Sequence, residues 1–562
     1  MLNHLLRPLF IAAILSFGAP VAATAQSASG AYLAAQQAEF AMDFRAAADA
    51  HLAGMFHEPG NVAFQRGAVS ALLALGDFDR AADIASGLVE AGYRDPASFM
   101  ALLGDAVERG HYDVVADVFA TPGQQLDPLT DTLVLGWAEV GHGNIDAGLA
   151  AFDGLTRQEG LATFGLFHKG LALAWLGEFE QAETVLASDV LTADPTHRYA
   201  LARAQVLSEL DRGPEALAYL RSVFGPTAPG ELGLAMQTLE AGQPLRFSLI
   251  RTPAEGMAEM FFTLADVLRG ENSDVYTLFY ARVAEFLMPD EPQLRLLTAD
   301  ILEDLGQHDL AAEAYGNVPR SSSVHLTAAL GLAETMRARD QLDRSVAFLG
   351  DLADEYPESP GVHVTLGDHL RRQKNYDDAI AAYSKGIDLA EAENAPNWYA
   401  YYVRGISYER TGQHDRAEAD FRRTLELQPN HPSVLNYLGY MLVEQQQKLD
   451  EALSMIETAV AARPDNGYIV DSLGWVYFRL GRYQDAVAPM EMAAELMATD
   501  PIVNDHLGDV YWMVGREREA EFQWRRAMSF DPEPAELDRI RRKLEVGLDV
   551  VLAEEAEAAD GN

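Results

Sequence analysis

Cysteine is missing altogether from these 562 residues. Its absence excludes disulfides, thiolate-held metals, a cysteine nucleophile and a lipid-bearing cysteine at a mature N-terminus. Basic charge is scarce: 42 Lys and Arg, only 5 of them lysine, stand against 85 Asp and Glu, for a net charge of −43. Nucleic acid and anionic membranes are both held through Lys and Arg on phosphate, so this balance argues against a nucleic-acid partner. No apolar run reaches the roughly 18 to 20 residues that span a bilayer, so no transmembrane span is expected in the mature chain. Catalytic signatures are missing as well. There is no GxxxxGK[ST] phosphate loop, no HExxH zinc helix and no GxSxG elbow. The expectation is a protein without catalytic residues, metal or cofactor.

The N-terminus does carry a pattern. Arg7 precedes "LFIAAILSFGAPVAA", and Ala23-Thr24-Ala25 places small residues at both cleavage-determining positions. This is the layout of a cleavable secretory leader, so residues 1–25 are set aside and an exported, periplasmic protein is expected. With 49% hydrophobic residues the remaining chain can bury a large core.

A phrase then repeats. "VLNYLGYMLVEQQQKLDEAL" from Val434, "VDSLGWVYFRLGRYQDAV" from Val470 and "VNDHLGDVYWMVGREREAE" from Val503 share a Leu-Gly step with a small residue twelve or thirteen positions after the glycine. That small residue runs through Ala47, Ala81, Ala116, Gly148, Ala182 and Ala216, then Thr277, Ala311, Ser345, Ala379, Ala417, Ala452, Ala486 and Ala520. The intervals are 32 to 38 residues, save one of 61 between Ala216 and Thr277. A bulky residue follows four positions later in many copies (Phe152, Tyr315, Tyr383, Phe421, Trp524), and proline twelve later (Pro59, Pro289, Pro357, Pro429, Pro464, Pro532). Each copy shows helix-period apolar spacing on two halves split by a turn such as "RTGQHD". A period of this length signals stacked supersecondary units. The small residue admits a close helix–helix approach, the bulky one fills a groove between neighbouring units, and the proline ends the second helix.

The pattern resembles the tetratricopeptide repeat (TPR) family, most fully in "YYVRGISYERTGQHDRAEADFRRTLELQP" at Gly405, Tyr408, Ala417, Phe421 and Pro429. The resemblance implies an all-α α-solenoid of about fourteen helix-turn-helix repeats in two arrays. The phrases "LNYLGY", "VDSLGW" and "NDHLGD" are similar to those of exported proteobacterial repeat proteins, among them the lipoprotein adaptor of a carboxyl-terminal processing protease.

The departures from the period set the expected organisation. A degenerate N-terminal array covers 26–224, and a Pro/Gly-rich break covers 225–257, where "PLRFSLIR" is expected to pack on a neighbour. A C-terminal array covers 258–532. A capping helix follows over 533–547, and an acidic tail over 548–562 is expected to be disordered.

The family resemblance also implies where a ligand would bind. Its inner surface is lined from the first helix of each repeat, at offsets −6, −3 and +1 from the Leu-Gly glycine. Here that set includes Tyr399, Tyr402, Asn436, Tyr440, Tyr468, Asp471, Trp475, Asp505 and Asp509. Aromatic rings give flat contact area at low entropic cost, and the carboxamide and carboxylates suit an extended peptide backbone. Asp505 and Asp509 lie at i and i+4 on one helix face, a spacing that suits gripping a cation or a basic side chain. His506 points about 100° away from Asp505 and makes a poor third ligand. Asp471-Ser472 lacks a local histidine and reads as a polar helix edge. The expected function is a periplasmic adaptor or scaffold that binds protein or peptide segments, the partner being an envelope protease or a secretion or assembly complex. The alternative is a structural part of an envelope export or polysaccharide-secretion machine.

Overall fold

The computed structural model describes residues 27–560 except 121–125, 159, 194, 227, 229 and 273, so the expected leader lies outside the described residues. Every regular element among the described residues is a helix. All fourteen small residues of the repeat fall within the first five residues of a helix and are buried. The helices start on side chains that satisfy free backbone N–H groups: Asp43, Asp127, Asn397, Asn466 and Asp500 each accept from backbone N–H groups in the turn they open. Proline occupies the first turn at Pro360, Pro432 and Pro501, where its missing N–H costs nothing. The prolines of the repeat lie just past helix ends, as at Pro429 after Leu427 and Pro464 after Ala462.

The Leu-Gly glycine and the bulky residue form one device. A Cβ on Gly405 would come within 2.8 Å of Phe421, on Gly367 within 2.5 Å of Tyr383, and on Gly508 within 2.5 Å of Trp524. The expected groove-filling knob thus packs over the glycine of its own helical hairpin, and it is fully buried there. Close packing explains the pairing: the ring takes the space a side chain on the glycine would fill.

The described chain divides into two compact units, residues 1–339 and 340–562. In the first unit, the segment expected as a break between arrays is part of the packing. It forms a helix, Gly230–Glu240, and then an extended stretch held along helix His197–Glu209. The N–H groups of Leu245, Phe247 and Ser248 donate to Ser208, Glu209 and Gln205 at 2.8, 2.9 and 3.0 Å, and Leu249 and Ile250 are buried. The expectation that "PLRFSLIR" packs on a neighbour matches this.

The hairpin that follows, Pro253–Asn272 and Val275–Leu287, does not begin a separate array. It lies against the first helices of the second to fifth hairpins, Val62–Leu75, Pro96–Glu108, Pro128–His142 and Ala162–Trp175. Phe286 stacks on Phe78 at 4.1 Å, Gly256 abuts Trp137, Tyr280 donates to Asp127 at 3.1 Å, and Trp175 donates to the Arg251 carbonyl at 3.0 Å. Buried Arg198 clasps fully buried Glu259 through two hydrogen bonds. The compact units therefore part between Arg339 and Asp340 and not at 225–257, because residues 253–287 supply core to the first unit.

In the second unit, helix Leu342–Glu355 is followed by five hairpins from Pro360 to Met528. The 38-residue interval from Ala379 to Ala417 contains a longer second helix, Tyr376–Ala392, of 17 residues against 14 in the next copy, His414–Leu427. The tail expected to be disordered is helical: Leu548–Asp560 pairs with Pro534–Val546 as a further hairpin. Leu548 and Val551 are buried, and Arg542 and Arg539 hold Glu554 and Glu555 at 2.6 and 2.7 Å. The acidic run packs through its buried Leu548 and Val551, while the arginines of the preceding helix lie beside its carboxylates. Among the described residues, no helix is long and apolar enough to cross a membrane.

Candidate functional site

A cavity of about 600 Å³ opens in the second unit. Its walls are four consecutive first helices, Trp398–Arg410, Pro432–Glu444, Gly467–Arg479 and Pro501–Met513, which bring residues 34 to 36 apart in sequence side by side. Tyr402, Asn436, Tyr440, Tyr468 and Asp471 of the expected groove all line it. Tyr402 and Tyr437 meet edge to face at 5.7 Å. Burial pushes the phenols of Tyr402 and Tyr440 above their ordinary range, so both are neutral donors at physiological pH. Tyr468 is 59% exposed at the rim, opposite Ile502.

Asp471 and His506 form a pair on the cavity wall, carboxylate to Nδ1 at 3.0 Å, both buried. Burial opposes charge on the imidazole, yet Asp471 outweighs it and raises the His506 pKa above its usual value. The indole of Trp475 stacks on His506 at 4.0 Å and on Phe478 at 4.8 Å, and its N–H donates to Glu444 at 2.6 Å. Trp475 is therefore a supporting residue behind the wall, only 7% exposed, and not an open contact surface. Glu444 also meets Arg479 at 3.4 Å, and Glu409 meets Arg410 at 3.4 Å. Each carboxylate lining the cavity has a cation beside it.

The remaining expected residues lie elsewhere. Tyr399 turns to the preceding repeat, donating to Asp368 at 3.0 Å beside Tyr383. Asp505 and Asp509 do grip a basic side chain, and it belongs to the chain itself: Lys543 of helix Pro534–Val546, at 2.8 Å from Asp505 and 2.6 Å from Asp509. Their carboxylates are spent on closing the end of the unit, which removes them from the open groove.

Sequence reasoning passed over Tyr437, Ser472 and His506, which also line the cavity. All three sit at offset −2 from their glycines, so a row one residue beyond the expected −3 position faces the same space. Asp471-Ser472 has its histidine after all, from the next repeat, but the Ser472 hydroxyl is turned away and donates to the Tyr468 carbonyl at 2.9 Å. The histidine ring is instead held by Asp471 on one side and by the face of Trp475 on another.

Stacked helical hairpins with a side-chain-lined cavity on their first helices define the class: a helical-repeat protein. More particularly, models described as tetratricopeptide repeat match residues 327–359, 359–430, 402–466 and 441–501, so this part of the chain is built of TPRs. A TPR repeat-containing protein of Pseudomonas aeruginosa is 31% identical over 94 residues, 17% of this chain and 16% of that one. Another from Methanocaldococcus jannaschii is 26% identical over 209 residues, 33% of this chain and 36% of that one. The chain thus spans about a sixth and about a third of the lengths of these two relatives. The Cut9–Hcn1 hetero-tetramer of the APC/C is similar at 13% identity with a TM-score of 0.39, over 93% of this chain and 96% of that one.

Proposed function

We propose that the protein is an exported adaptor, without catalytic activity of its own, that takes an extended segment of a partner protein into the cavity between Tyr402 and Ile502. One observation carries this reading. The inner face of the second unit is open and presents aromatic rings with unsatisfied polar groups, whereas in the first unit residues 253–287 cover the corresponding helices. TPR proteins in general serve protein–protein interaction, and the leader-like N-terminus supports export to the periplasm, where an envelope protease or assembly complex is the proposed recipient.

The test is site-specific photo-crosslinking in the living cell. A photoreactive phenylalanine analogue at Tyr468, on the rim, should trap a defined protein. The same analogue at Phe522, which is 63% exposed and does not line the cavity, should not. Capture of the same partner from Phe522 and not from Tyr468 would place recognition on another face. A mature chain still beginning at Met1 would overturn the export reading.

A further inference from the structure

Tyr315 holds the same place in its hairpin as Tyr383 does two repeats further along, and the polar groups around the two phenols differ by one residue. Tyr383 donates to Asp368 at 2.8 Å and accepts from the Nε–H of Arg371 at 3.1 Å, so its hydroxyl meets one acceptor and one donor. At Tyr315 the aspartate is kept as Asp300, at 2.7 Å. Glu303 stands in the place of the arginine, its Oε2 2.8 Å from the phenol oxygen. A phenol carries a single proton. It donates to one of the two carboxyl groups, and the other bonds to its oxygen only by bringing a proton of its own. With both carboxyls ionised, lone pairs would face each other at 2.8 Å.

We infer that Asp300, Tyr315 and Glu303 form a proton-bridged joint in the first unit, with the proton on Glu303, so that acid tightens the joint and base loosens it. The order within the bridge follows from the nearby cation. Arg269 of helix Pro253–Asn272 donates to Asp300 at 2.9 Å and to Asp304 at 2.7 Å, which favours the charged form of both. Tyr315 therefore donates to Asp300, and the carboxylic O–H of Glu303 donates to the phenol oxygen. Beside Glu303 stand His308 and Glu334, the latter paired with Arg337 at 2.6 Å. Burial raises the Glu303 pKa, and Asp300 and Glu334 add to it against His308. The phenol would lower it only through a donation already given to Asp300. The joint ties three helices together. Asp300 and Glu303 lie on Pro292–Asp304 and Tyr315 on His308–Gly316. The Tyr315 ring lies on Gly331 of His325–Ala338, where a Cβ would come within 2.5 Å. On ionising, Glu303 loses its bond to the phenol and adds a charge beside Asp300 and Glu334. The folded state holds this proton more tightly than the unfolded chain. The contribution is full below the ordinary glutamate value of about 4.3 and is lost as pH rises through the folded pKa.

Infrared difference spectra between the full chain and its Glu303→Gln variant, taken over a pH series, isolate the C=O stretch of a protonated Glu303. Its midpoint should lie above the ordinary glutamate value of about 4.3. In Asp300→Asn the phenol is released to donate to an ionised Glu303. The midpoint there, read against the Asp300→Asn, Glu303→Gln double variant, should fall below that of the wild type. Hydrogen exchange resolved by segment and corrected for intrinsic rates supplies the second measurement. Helix His308–Gly316 should lose protection in the wild type as pH rises through the Glu303 midpoint. In Glu303→Gln, whose amide N–H takes the place of the acid's O–H at every pH, its protection should stay level. A wild-type midpoint at or below about 4.3 would overturn the inference. So would a midpoint unmoved by Asp300→Asn, or a wild-type loss of protection that persists in Glu303→Gln.

Discussion

Lys543 and Asp509 form an ion pair shielded from bulk solvent: Nζ lies 2.6 Å from Oδ1, and both side chains are fully buried. Trp524 donates to the same carboxylate oxygen at 2.8 Å, and Arg539 approaches the other at 3.3 Å. A helix from the last hairpin thus closes the repeat stack with a lysine, where the next repeat offers His506 to the internal Asp471. Removing one partner of such a pair leaves a buried charge without compensation.

Lys543→Met should accordingly destabilise the second unit by about 3–5 kcal/mol. Adding Asp505→Asn and Asp509→Asn should restore much of the loss, since the orphaned charges disappear with the cation. Denaturant unfolding of the single and combined variants measures this. Equal stability of Lys543→Met and wild type would show the cap to be dispensable.

The two units should respond to mild acid in opposite senses at specific sites. Burial, then Asp509, pushes the Asp505 pKa up to about 6, so the folded state holds that proton more tightly than the unfolded chain, and stability rises as pH falls through 6. His506 also titrates above its ordinary value, so its contribution is full below the unfolded pKa of about 6.5 and is lost as pH rises through the folded one. In the first unit, burial drives His168 down to about 3, so its contribution is full above about 6.5 and is lost as pH falls below it. Hydrogen exchange resolved by segment, corrected for intrinsic rates, should show helix Pro501–Met513 better protected at pH 6 than at pH 8. Helix Ala162–Trp175 should be less protected at pH 5 than at pH 7. His506→Gln should flatten the first trend.

Gly508→Ala should cost more than Gly474→Ala. A Cβ on Gly508 meets the rigid indole of Trp524, held by Asp509, whereas a Cβ on Gly474 meets the unbranched chain of Met490, which can turn aside. The first should fall within the 1–3 kcal/mol typical of overpacking, about 2 kcal/mol, with the second below it. Thermal melts of the two variants decide the order.

Trp475→Ala and Tyr468→Ala should separate support from contact. The tryptophan lies behind the wall between Phe478 and His506, so its truncation should lower stability by about 3–5 kcal/mol and weaken binding as a result. Tyr468 stands at the rim with one 3.4 Å bond to Asp500, so its truncation should leave the melt within about 0.5 kcal/mol of wild type and reduce partner capture. A normal melt for Trp475→Ala would contradict the stacking described here.

The repeat was legible because its cause is local. Phe421 sits over Gly405 in one hairpin, so steric demand writes itself into a fixed spacing. The cavity was legible at Tyr402, Asn436, Tyr440, Tyr468 and Asp471 because the same spacing fixes which residues of a first helix point inward. What escaped depends on contacts between distant segments. Lys543 lies 38 residues from Asp505, and nothing in "NDHLGD" indicates that its two carboxylates are already taken. Nor does "GMAEMFF" announce that Gly256 meets Trp137. The acidic tail misled because charge was read along the chain, while its arginine partners sit on the facing helix.

The hairpin at 253–287 has a consequence for stoichiometry. By laying its own helices against Val62–Leu75 through Ala162–Trp175, the first unit uses up the surface that a repeat array normally lends to others. Under the proposed function, each copy of the chain engages one guest, at the cavity of the second unit. An assembly that needs two guests at once must recruit a second copy or use an outer face, and titrations at the cavity should level off at one equivalent.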